Sequence, residues 1–458
     1  MKRNSQTPRF FFLLFLALLF SYCSSETMDA QEVIEDPEEE VEEETPTIHT
    51  QPNILLLIAD DVSLDATPNY APELNATKAN MPTLEKLMQE GLVFDNLWSY
   101  SVCSPTRASI LTGKHSISTG VYAPGNHISA SEKSLQKYID EQTNNAYAHA
   151  VFGKWHLSGN RDYAQPTDMG IGTFSGTLGG GLGDYWNYSL VVNSEITDVT
   201  DSYSTTKYTD LAIEWKNKQS KPWFLWVAYN AAHTPFHRPD DGLISNTSLA
   251  PYQEGRSDDL PYYLAMLEAM DHEMGRLIDS MTAEEKANTI VIYIGDNGTP
   301  KKVSQYGDTN KHRKESIYQG GINVPLVVSG NGVRVGRETD ALVNTTDLFA
   351  TIGELAGSTT TNIHESFSFK DLLYNDNAAT KEFVYASVTP NNGQDKYAVR
   401  NDSYKLISVV GGSSEDEEMY NLKLDAYEET NILLRSLTNE ETQARVSLQN
   451  EGKRIRGE

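Results

Sequence analysis

The chain has 458 residues, of which 39% are hydrophobic and 22% are charged, so it can bury a large core and form one big domain plus a smaller one. Its 64 acidic residues outnumber the 37 Lys and Arg residues, which gives a formal net charge of -27 at pH 7. This balance argues against nucleic acid as a partner, because a phosphate backbone attracts clustered Lys and Arg. An acidic protein of this kind needs a locally basic pocket if its substrate is an anion.

The N-terminus has the pattern of an export signal. Lys2, Arg3 and Arg9 precede an unbroken apolar run at residues 10–20, which is too short to cross a bilayer as a stable helix. Cys23 follows at once, as at a bacterial lipoprotein processing site. We therefore expect residues 1–23 to be a signal peptide that directs a bacterial protein to the periplasm or outer membrane. Two outcomes stay open: membrane attachment through a lipidated Cys23, or cleavage nearby that leaves a soluble periplasmic protein.

Residues 24–50 are predicted to be a disordered acidic tether. Residues 26–44 hold eleven acidic side chains and no Lys or Arg, so this stretch repels itself and lacks the apolar content of a core. Folding is expected to begin near residue 51.

From residue 51 onward the sequence predicts an α/β fold. Four continuous apolar runs are typical of central strands covered on both faces, and helical patterns lie between them. These runs are at residues 53–59, 223–228, 289–294 and 324–328. Strands that alternate with helices indicate a mostly parallel central sheet flanked by helices. We assign residues 51–380 to this main domain, and residues 381–458 to a small C-terminal α+β subdomain with an antiparallel sheet.

Acidic and amide side chains follow two of these runs. Asp60 and Asp61 come directly after the first run, and Asp296 and Asn297 come just after the third. Sites of α/β proteins lie beyond the carboxyl ends of the strands. Three carboxylates and one amide suit Ca²⁺ or Mg²⁺, whereas zinc prefers His and Cys. Either pair alone is equally compatible with a turn cap, but together they favour a metal site.

Cys103 belongs to the segment Cys-Ser-Pro-Thr-Arg. The only other cysteine is Cys23, so Cys103 has no disulfide partner if Cys23 is lipidated or removed. Ser104 is predicted to cap a helix with Pro105 at its first position. Cys103 would then lie at a helix N-terminus, where the dipole favours anions, and Arg107 can reach back on the same side.

This segment resembles the hallmark of the type I sulfatases, in the alkaline-phosphatase-like superfamily. Cys103, Pro105 and Arg107 match that motif, and Thr106 stands where many members have serine. The resemblance covers roughly residues 51–435. Further blocks of the family occur in the expected order along the chain. They are Asp60-Asp61, Gly-Lys-Trp-His-Leu at 153–157, Ala-His-Thr-Pro at 232–235, Asp296-Asn297, Lys314 ahead of Gly320-Gly321, and Met-Tyr-Asn-Leu at 419–422 with Glu428 and Asn431.

The resemblance implies a cofactor and a modification. A maturation enzyme of the producing cell would oxidise Cys103 to formylglycine (3-oxoalanine), whose hydrate is the nucleophile. The metal, Ca²⁺ with Mg²⁺ as the alternative, would be held by Asp60, Asp61, the modified Cys103, Asp296 and Asn297. Residues 51–380 would then form the sulfatase catalytic domain.

The resemblance also implies roles for cationic and imidazole side chains. The predicted catalytic set is Cys103, Arg107, Lys154, His156, His233 and Lys314. Arg107 would ease ionisation of the nucleophile, and Lys154, His233 and Lys314 would hold the sulfate oxygens. His233 and Lys314 would also assist the leaving group, and His156 would remove the proton that allows sulfate to depart. Taken singly, each of these lysines and histidines is better explained as a surface, core or turn residue, but their occurrence together with the Cys103 motif favours the catalytic roles.

The expected reaction is hydrolysis of sulfate esters on a sulfated carbohydrate or polysaccharide. Two alternatives stay open: a phosphate- or phosphonate-ester hydrolase of the same superfamily, and a catalytically silent surface lipoprotein that binds glycan. The glycine-rich stretch at 176–183 is interpreted as a flexible loop. Position alone suggests further pocket residues, namely Tyr122, His127, Asp184, Trp186, Arg238 and Asp240, while Lys114, His115 and His237 have no assigned role.

Overall fold

The computed structural model describes residues 51–390 and 393–458, which belong to one compact unit. The predicted signal peptide at 1–23 and the acidic tether at 24–50 lie outside the described residues and stay predictions. Within the described ranges, no helix has the length and apolar character needed to cross a membrane.

The described elements alternate between strands and helices over most of the chain. Strands β1–β17 are, in chain order, Asn53–Ala59, Gly91–Trp98, Ala148–Lys154, Thr173–Thr177, Tyr188–Val192, Glu195–Val199, Trp223–Ala228, Thr289–Gly295, Asn323–Ser329, Arg337–Thr339, Val343–Asn344, Asn362–Ile363, Ser366–Phe367, Val384–Val388, Lys396–Arg400, Tyr404–Val409 and Glu418–Asn421. Helices α1–α11 are Pro82–Gln89, Cys103–Thr112, Ser116–Thr119, Leu135–Thr143, Gln165–Asp168, Ser204–Lys216, Asp259–Asp279, Ala283–Ala287, Gln319–Ile322, Asp347–Leu355 and Asn439–Arg456.

An 11-stranded sheet forms the centre, in the order β10-β2-β9-β8-β1-β7-β3-β4-β5-β6, with β11 also paired to β2. The five central strands β8, β1, β7, β3 and β4 run parallel, whereas β9 is antiparallel to both β8 and β2. Successive residues of β1 alternate between two hydrophobic clusters, one on each face of the sheet. The predicted mostly parallel sheet is confirmed, and the four apolar runs are β1, β7, β8 and β9.

A second sheet forms near the C-terminus. Strands β14, β15, β16 and β17 pair antiparallel in sequence order. One face buries Val399 and Leu406 in a cluster with Leu448 of α11. The other buries Ala398 and Ile407 in a cluster with Trp98, at the end of β2. The predicted fold class, with its C-terminal antiparallel sheet, is confirmed, while the boundary at residue 380 stays a prediction.

The parallel strands determine where the polar side chains meet. β1 and β8 pair in register as far as Ala59 and Gly295, so the residues that follow both strands emerge at one edge of the sheet. β3 and β7 end at the same edge, with Gly153 beside Ala228. Because all four strands are parallel, the loops after them converge there.

Candidate active site

Three carboxylates meet just beyond β1 and β8. Asp60, Asp61 and Asp296 are all buried, and one oxygen from each lies within 4.8 Å of the others. The Asp61 backbone N–H donates to Asp296 Oδ1 at 3.0 Å, which ties the two loops together. The sequence prediction that these strand ends lie together agrees with this geometry.

Each carboxylate contacts its own basic side chain. The pairs are Lys154 Nζ with Asp60 Oδ2 at 2.6 Å, Lys314 Nζ with Asp61 Oδ1 at 2.6 Å, and Arg107 Nη2 with Asp296 Oδ2 at 2.8 Å. Pairing is required because an isolated buried charge is strongly unfavourable. Arg107 Nη1 also donates to the Lys154 carbonyl at 2.7 Å, so its guanidinium joins the ends of β8 and β3.

Two oxygens in this cluster accept no hydrogen bond from the described residues. Asp60 Oδ1 and Asn297 Oδ1 are both buried and unpartnered. Asn297 directs its amide N–H to Asp61 Oδ1 at 2.8 Å, which leaves its own oxygen available. Carboxylate and amide oxygens are the ligands of hard divalent cations. The donor set therefore fits such a cation at Asp60, Asp61, Asp296 and Asn297.

Cys103 lies at the start of α2, beside this cluster. The residue before it is Val102, which caps the helix with no side-chain hydrogen bond. The prediction that Ser104 is the N-cap is wrong, because Ser104 lies inside the first turn and its hydroxyl donates to the His156 carbonyl at 2.9 Å. Cys103 Sγ is 3.0 Å from His156 Nδ1. Burial raises the pKa of the Cys103 thiol, so the unmodified side chain is a weak nucleophile.

His156 follows β3 with a left-handed backbone, φ 58°. Burial, together with the charges of Lys154 and Arg107, lowers the pKa of His156 to about 2. A neutral imidazole at this position can accept a proton from a group at residue 103.

Lys314 reaches the cluster from a long loop. Its backbone N–H donates to the Thr299 carbonyl at 2.8 Å, and the next N–H, of Glu315, donates to the Ser101 carbonyl at 2.8 Å. Burial alone would lower the pKa of Lys314, but the carboxylate of Asp61 holds it above its ordinary value. The ammonium group therefore stays charged between the Asp296 loop and the Cys103 loop.

His233 forms the more open side of the site. Its Nε2 lies 3.9 Å from Asp61 Oδ2, and its side chain is 22% exposed. Tyr185 Oη lies within hydrogen-bond distance of two carbonyls of this loop, those of Asn230 at 2.7 Å and His233 at 2.6 Å. The loop after β7 is thus held by a tyrosine that sequence reasoning did not single out.

The glycine-rich stretch at 176–183 packs against both histidines. A Cβ on Gly180 would lie 2.3 Å from His156 Cε1, and one on Gly181 would lie 3.0 Å from His233 Cε1. The glycines thus allow a close approach of backbone to imidazole, a role that the interpretation as a flexible loop missed. In the sequence, the run of glycines at 176–183 was the one sign of this close approach.

The structure brings the predicted metal and catalytic side chains together, whereas several other candidates have partners elsewhere. Arg238 binds Asp241, Lys114 binds Glu132 at 2.7 Å, and buried His115 pairs with Tyr100 Oη at 2.9 Å. The other candidates lie in loops, outside the helices and strands: Tyr122, His127, Asp184, Trp186, His237 and Asp240. The chemical roles of all these residues stay predictions.

The chain belongs to the sulfatase family. A family model described as sulfatase matches residues 52–358, and one described as N-sulphoglucosamine sulphohydrolase, C-terminal, matches residues 307–454. The family resemblance drawn from the Cys103 motif is therefore confirmed.

Curated relatives match over different shares of their lengths. The chain is 29% identical over 334 residues to mouse arylsulfatase J, covering 67% of this chain but 53% of that protein. It is 26% identical over 453 residues to an ulvan-active sulfatase of Formosa agariphila, covering 91% of this chain and 82% of that protein. The chain thus spans about half of the first relative and most of the second.

Solved structures share the fold at low sequence identity. The complex of Ps i-CgsB with k-i-k-neocarrahexaose has a TM-score of 0.71 and 21% identity, covering 88% of this chain and 92% of that one. A second protein, in complex with its substrate D-glucosamine-2-N,6-O-disulfate, has a TM-score of 0.71 and 20% identity, covering 89% and 98%.

Proposed function

We propose that this protein hydrolyses sulfate esters of a sulfated carbohydrate. The observation that carries the proposal is the buried group in which Asp60, Asp61 and Asp296 each face a basic side chain, beside Cys103 and a neutral imidazole. Positive groups converging on one point are what a sulfate oxyanion requires. The names of similar proteins, an ulvan-active sulfatase and a glucosamine disulfate complex, support a carbohydrate as the carrier of the ester.

The chain's own residues have separable tasks in this proposal. Lys154, Lys314 and His233 bind the sulfate oxygens, and their fixed positions make this binding strongest as charge moves onto the leaving alcohol. His233 and Lys314 are assigned to the leaving oxygen because one is the more open imidazole and the other stays charged. His156 accepts a proton from the group at residue 103.

The cofactor and the modification belong to the proposal as well. Asp60, Asp61, Asp296 and Asn297 would hold Ca²⁺, or Mg²⁺ in its place. We infer that a maturation enzyme converts Cys103 to formylglycine, because Cys103, Pro105 and Arg107 match the family's motif and the chain belongs to that family. The raised pKa of the thiol, which makes it a weak nucleophile, agrees with this inference. When present, the two groups supply the nucleophile and the charge that eases its ionisation.

Sulfate release from a panel of sulfated oligosaccharides tests the reaction. We expect the wild type, produced with the maturation enzyme, to release sulfate from at least one of them, and Cys103→Ala to release none. Equal rates for the two proteins would overturn the proposal. Parallel assays with an aryl sulfate and an aryl phosphate test the phosphate-ester alternative. Faster hydrolysis of the phosphate would support that alternative, and faster hydrolysis of the sulfate would contradict it. Glycan binding without any hydrolysis would identify a silent binding protein.

Mass spectrometry of two peptides tests maturation and location. The peptide with Cys103 should have the mass of formylglycine in the native host, and a quantitative free thiol would contradict the proposal. We also propose that the protein is exported and tethered through lipidated Cys23, since the leader precedes an acidic segment. A lipid-modified mature N-terminus on Cys23 is the expected result, and cleavage elsewhere would favour a soluble periplasmic protein.

A further inference from the structure

Lys314 lies within residues 311–320, which we call the lysine segment. On the side of the site, the segment is bonded through its backbone to the carbonyls of Thr299 and Ser101, as described above. On its other side, it contacts the C-terminal sheet and the loop that follows β17. Lys314 is therefore held between the site and a part of the chain that contributes none of the predicted catalytic residues.

Two buried charges make the contacts on that other side. Lys405 Nζ, on β16, donates to the Ile317 carbonyl at 2.7 Å, and Glu428 Oε2 accepts the Gln319 N–H at 2.6 Å. A third contact involves Tyr427, the residue before Glu428: His312 Nε2 donates to the Tyr427 carbonyl at 2.8 Å. Two further bonds join the lysine segment to the same region: Lys311 Nζ donates to the Glu428 carbonyl at 3.3 Å, and Tyr318 Oη donates to Glu418 Oε2 at 2.6 Å.

Lys405 and Glu428 also pair with each other, at 2.5 Å, and both side chains are fully buried. Lys405 Nζ lies 5.0 Å from the ring centroid of Trp98, at the end of β2. A buried ion pair is weak evidence for stability, since packed apolar residues often serve equally well. Its directional contacts to Ile317 and Gln319 are what an apolar replacement would lack.

We propose that Lys405 and Glu428 form a positioning pair that holds Lys314 against Asp61, one of the carboxylates assigned to the cation. The inference rests on the proposed function, because it concerns the residue assigned to the leaving group. Ile317 lies three positions from Lys314 in the chain, so a shift of its carbonyl moves the ammonium group. A displacement of about 1 Å at a reacting group lowers turnover by roughly 100-fold. This assigns a purpose to Glu428, which the sequence pattern singled out without explaining.

Hydrogen exchange measures the positioning without relying on catalysis. Glu428→Gln keeps an acceptor for Gln319 but removes the counter-charge of Lys405, so amides of residues 311–320 should exchange about tenfold faster. Glu417→Gln is the matched control, because Glu417, just before β17, pairs with Arg445 of α11 at 2.6 Å and no hydrogen bond is found between it and the lysine segment. Unchanged exchange in Glu428→Gln, or equal acceleration in both variants, would overturn the proposal.

Leaving-group dependence measures the consequence for chemistry. If Lys314 is displaced, Glu428→Gln should lose more kcat on phenyl sulfate than on 4-nitrophenyl sulfate, because the poorer leaving group needs more stabilisation. A general loss of folded protein would lower both rates by the same factor. Glu417→Gln should leave the ratio of kcat on phenyl sulfate to kcat on 4-nitrophenyl sulfate unchanged. Equal losses on the two esters by Glu428→Gln would contradict a role through Lys314.

A double variant tests whether the pair acts through Lys314. In a Lys314→Met background, adding Glu428→Gln should lower kcat by less than about twofold further, since the positioned group is already absent. If Glu428→Gln does not fold, Lys405→Met/Glu428→Gln removes both charges and should fold while keeping the fast exchange. Full additivity with Lys314→Met would overturn the inference. A wild type that hydrolyses no sulfate ester would instead contradict the proposed function, and the exchange result would still decide the positioning.

Discussion

Two helices of this protein begin in opposite ways. α11 follows Thr438, which forms a capping box with Glu441: the Thr438 hydroxyl accepts the Glu441 N–H at 3.2 Å, and the Glu441 carboxylate accepts the Thr438 N–H at 2.8 Å. α2 follows Val102, which has no side-chain acceptor, and all ten of its residues are buried. α11 is therefore started by its own sequence, whereas α2 depends on its surroundings. We expect substitutions in α2 to lower both stability and activity, and substitutions in α11 to lower stability alone, by a smaller amount.

The sharpest separation is expected between two arginines, one on each helix. Arg107→Ala in α2 leaves buried Asp296 without its partner, so the free energy of unfolding should fall by about 3–5 kcal/mol. Sulfate release should fall by roughly 10³-fold, as when a preorganised charge is removed from a site. Arg445→Ala in α11 breaks a partly exposed pair and should cost about 1 kcal/mol or less, with kcat unchanged. Denaturant unfolding and steady-state kinetics would measure both, and comparable activity losses would break the comparison.

Removal of a divalent cation should change the site beside α2, where the carboxylates lie, and leave α11 unchanged. Chelation should lower sulfate release by about 100-fold or more, and added Ca²⁺ should restore it, because the cation would contribute several kcal/mol to charge stabilisation. Thermal unfolding should also shift upward with Ca²⁺ in the wild type. Asp296→Asn serves as the control, since it lacks one of the ligand carboxylates and should recover little. Full activity in chelator would exclude a catalytic metal.

The glycine-rich loop gives a prediction of intermediate size. Gly180→Ala places a methyl group against His156, so the imidazole must move and kcat should fall by about tenfold or more. Gly183 is the matched control, because a Cβ there meets no atom within 4 Å. Gly183→Ala should therefore leave kcat unchanged. Equal kcat values for the two alanine variants would show that the loop does not constrain the histidine.

The smallest effect is expected at the start of α11. Thr438→Ala removes the capping hydroxyl, so the free energy of unfolding should fall by about 1 kcal/mol. Thr438→Ser should restore most of it, and neither variant should change kcat per folded molecule. A loss of activity without a loss of stability would contradict the assignment of α11 to structure alone.

Much of the fold was predictable because its signals are local. β1, β7, β8 and β9 are continuous apolar runs, and each was predicted from that pattern alone. The grouping of Asp60, Asp61 and Asp296 followed from their positions after parallel strands. The sequence alone predicted the central strands and the carboxylate cluster, because the strands depend on residues close in the chain and the cluster depends on a general rule of sheet topology.

What escaped prediction depends on contacts between distant segments. The start of α2 was misplaced because its first turn is held by the His156 carbonyl, which lies 52 positions along the chain from Ser104. The glycines at 180 and 181 were interpreted as flexible because only the folded chain shows the imidazoles against them. Similarly, no local pattern links Lys405 to the lysine segment.

The sequence separation of the bonded residues has a consequence for biosynthesis. Asp61 and Asp296 are joined across 235 positions, and the segment with Lys314 is bonded to Glu428. During synthesis, the segment with Cys103 is therefore made long before Asp296, Lys314 and Glu428, which complete its surroundings. Because a domain folds as a unit, the site is completed only when the last tenth of the chain takes part in folding. A chain that terminates before residue 428 would then be inactive even though it contains every predicted catalytic side chain.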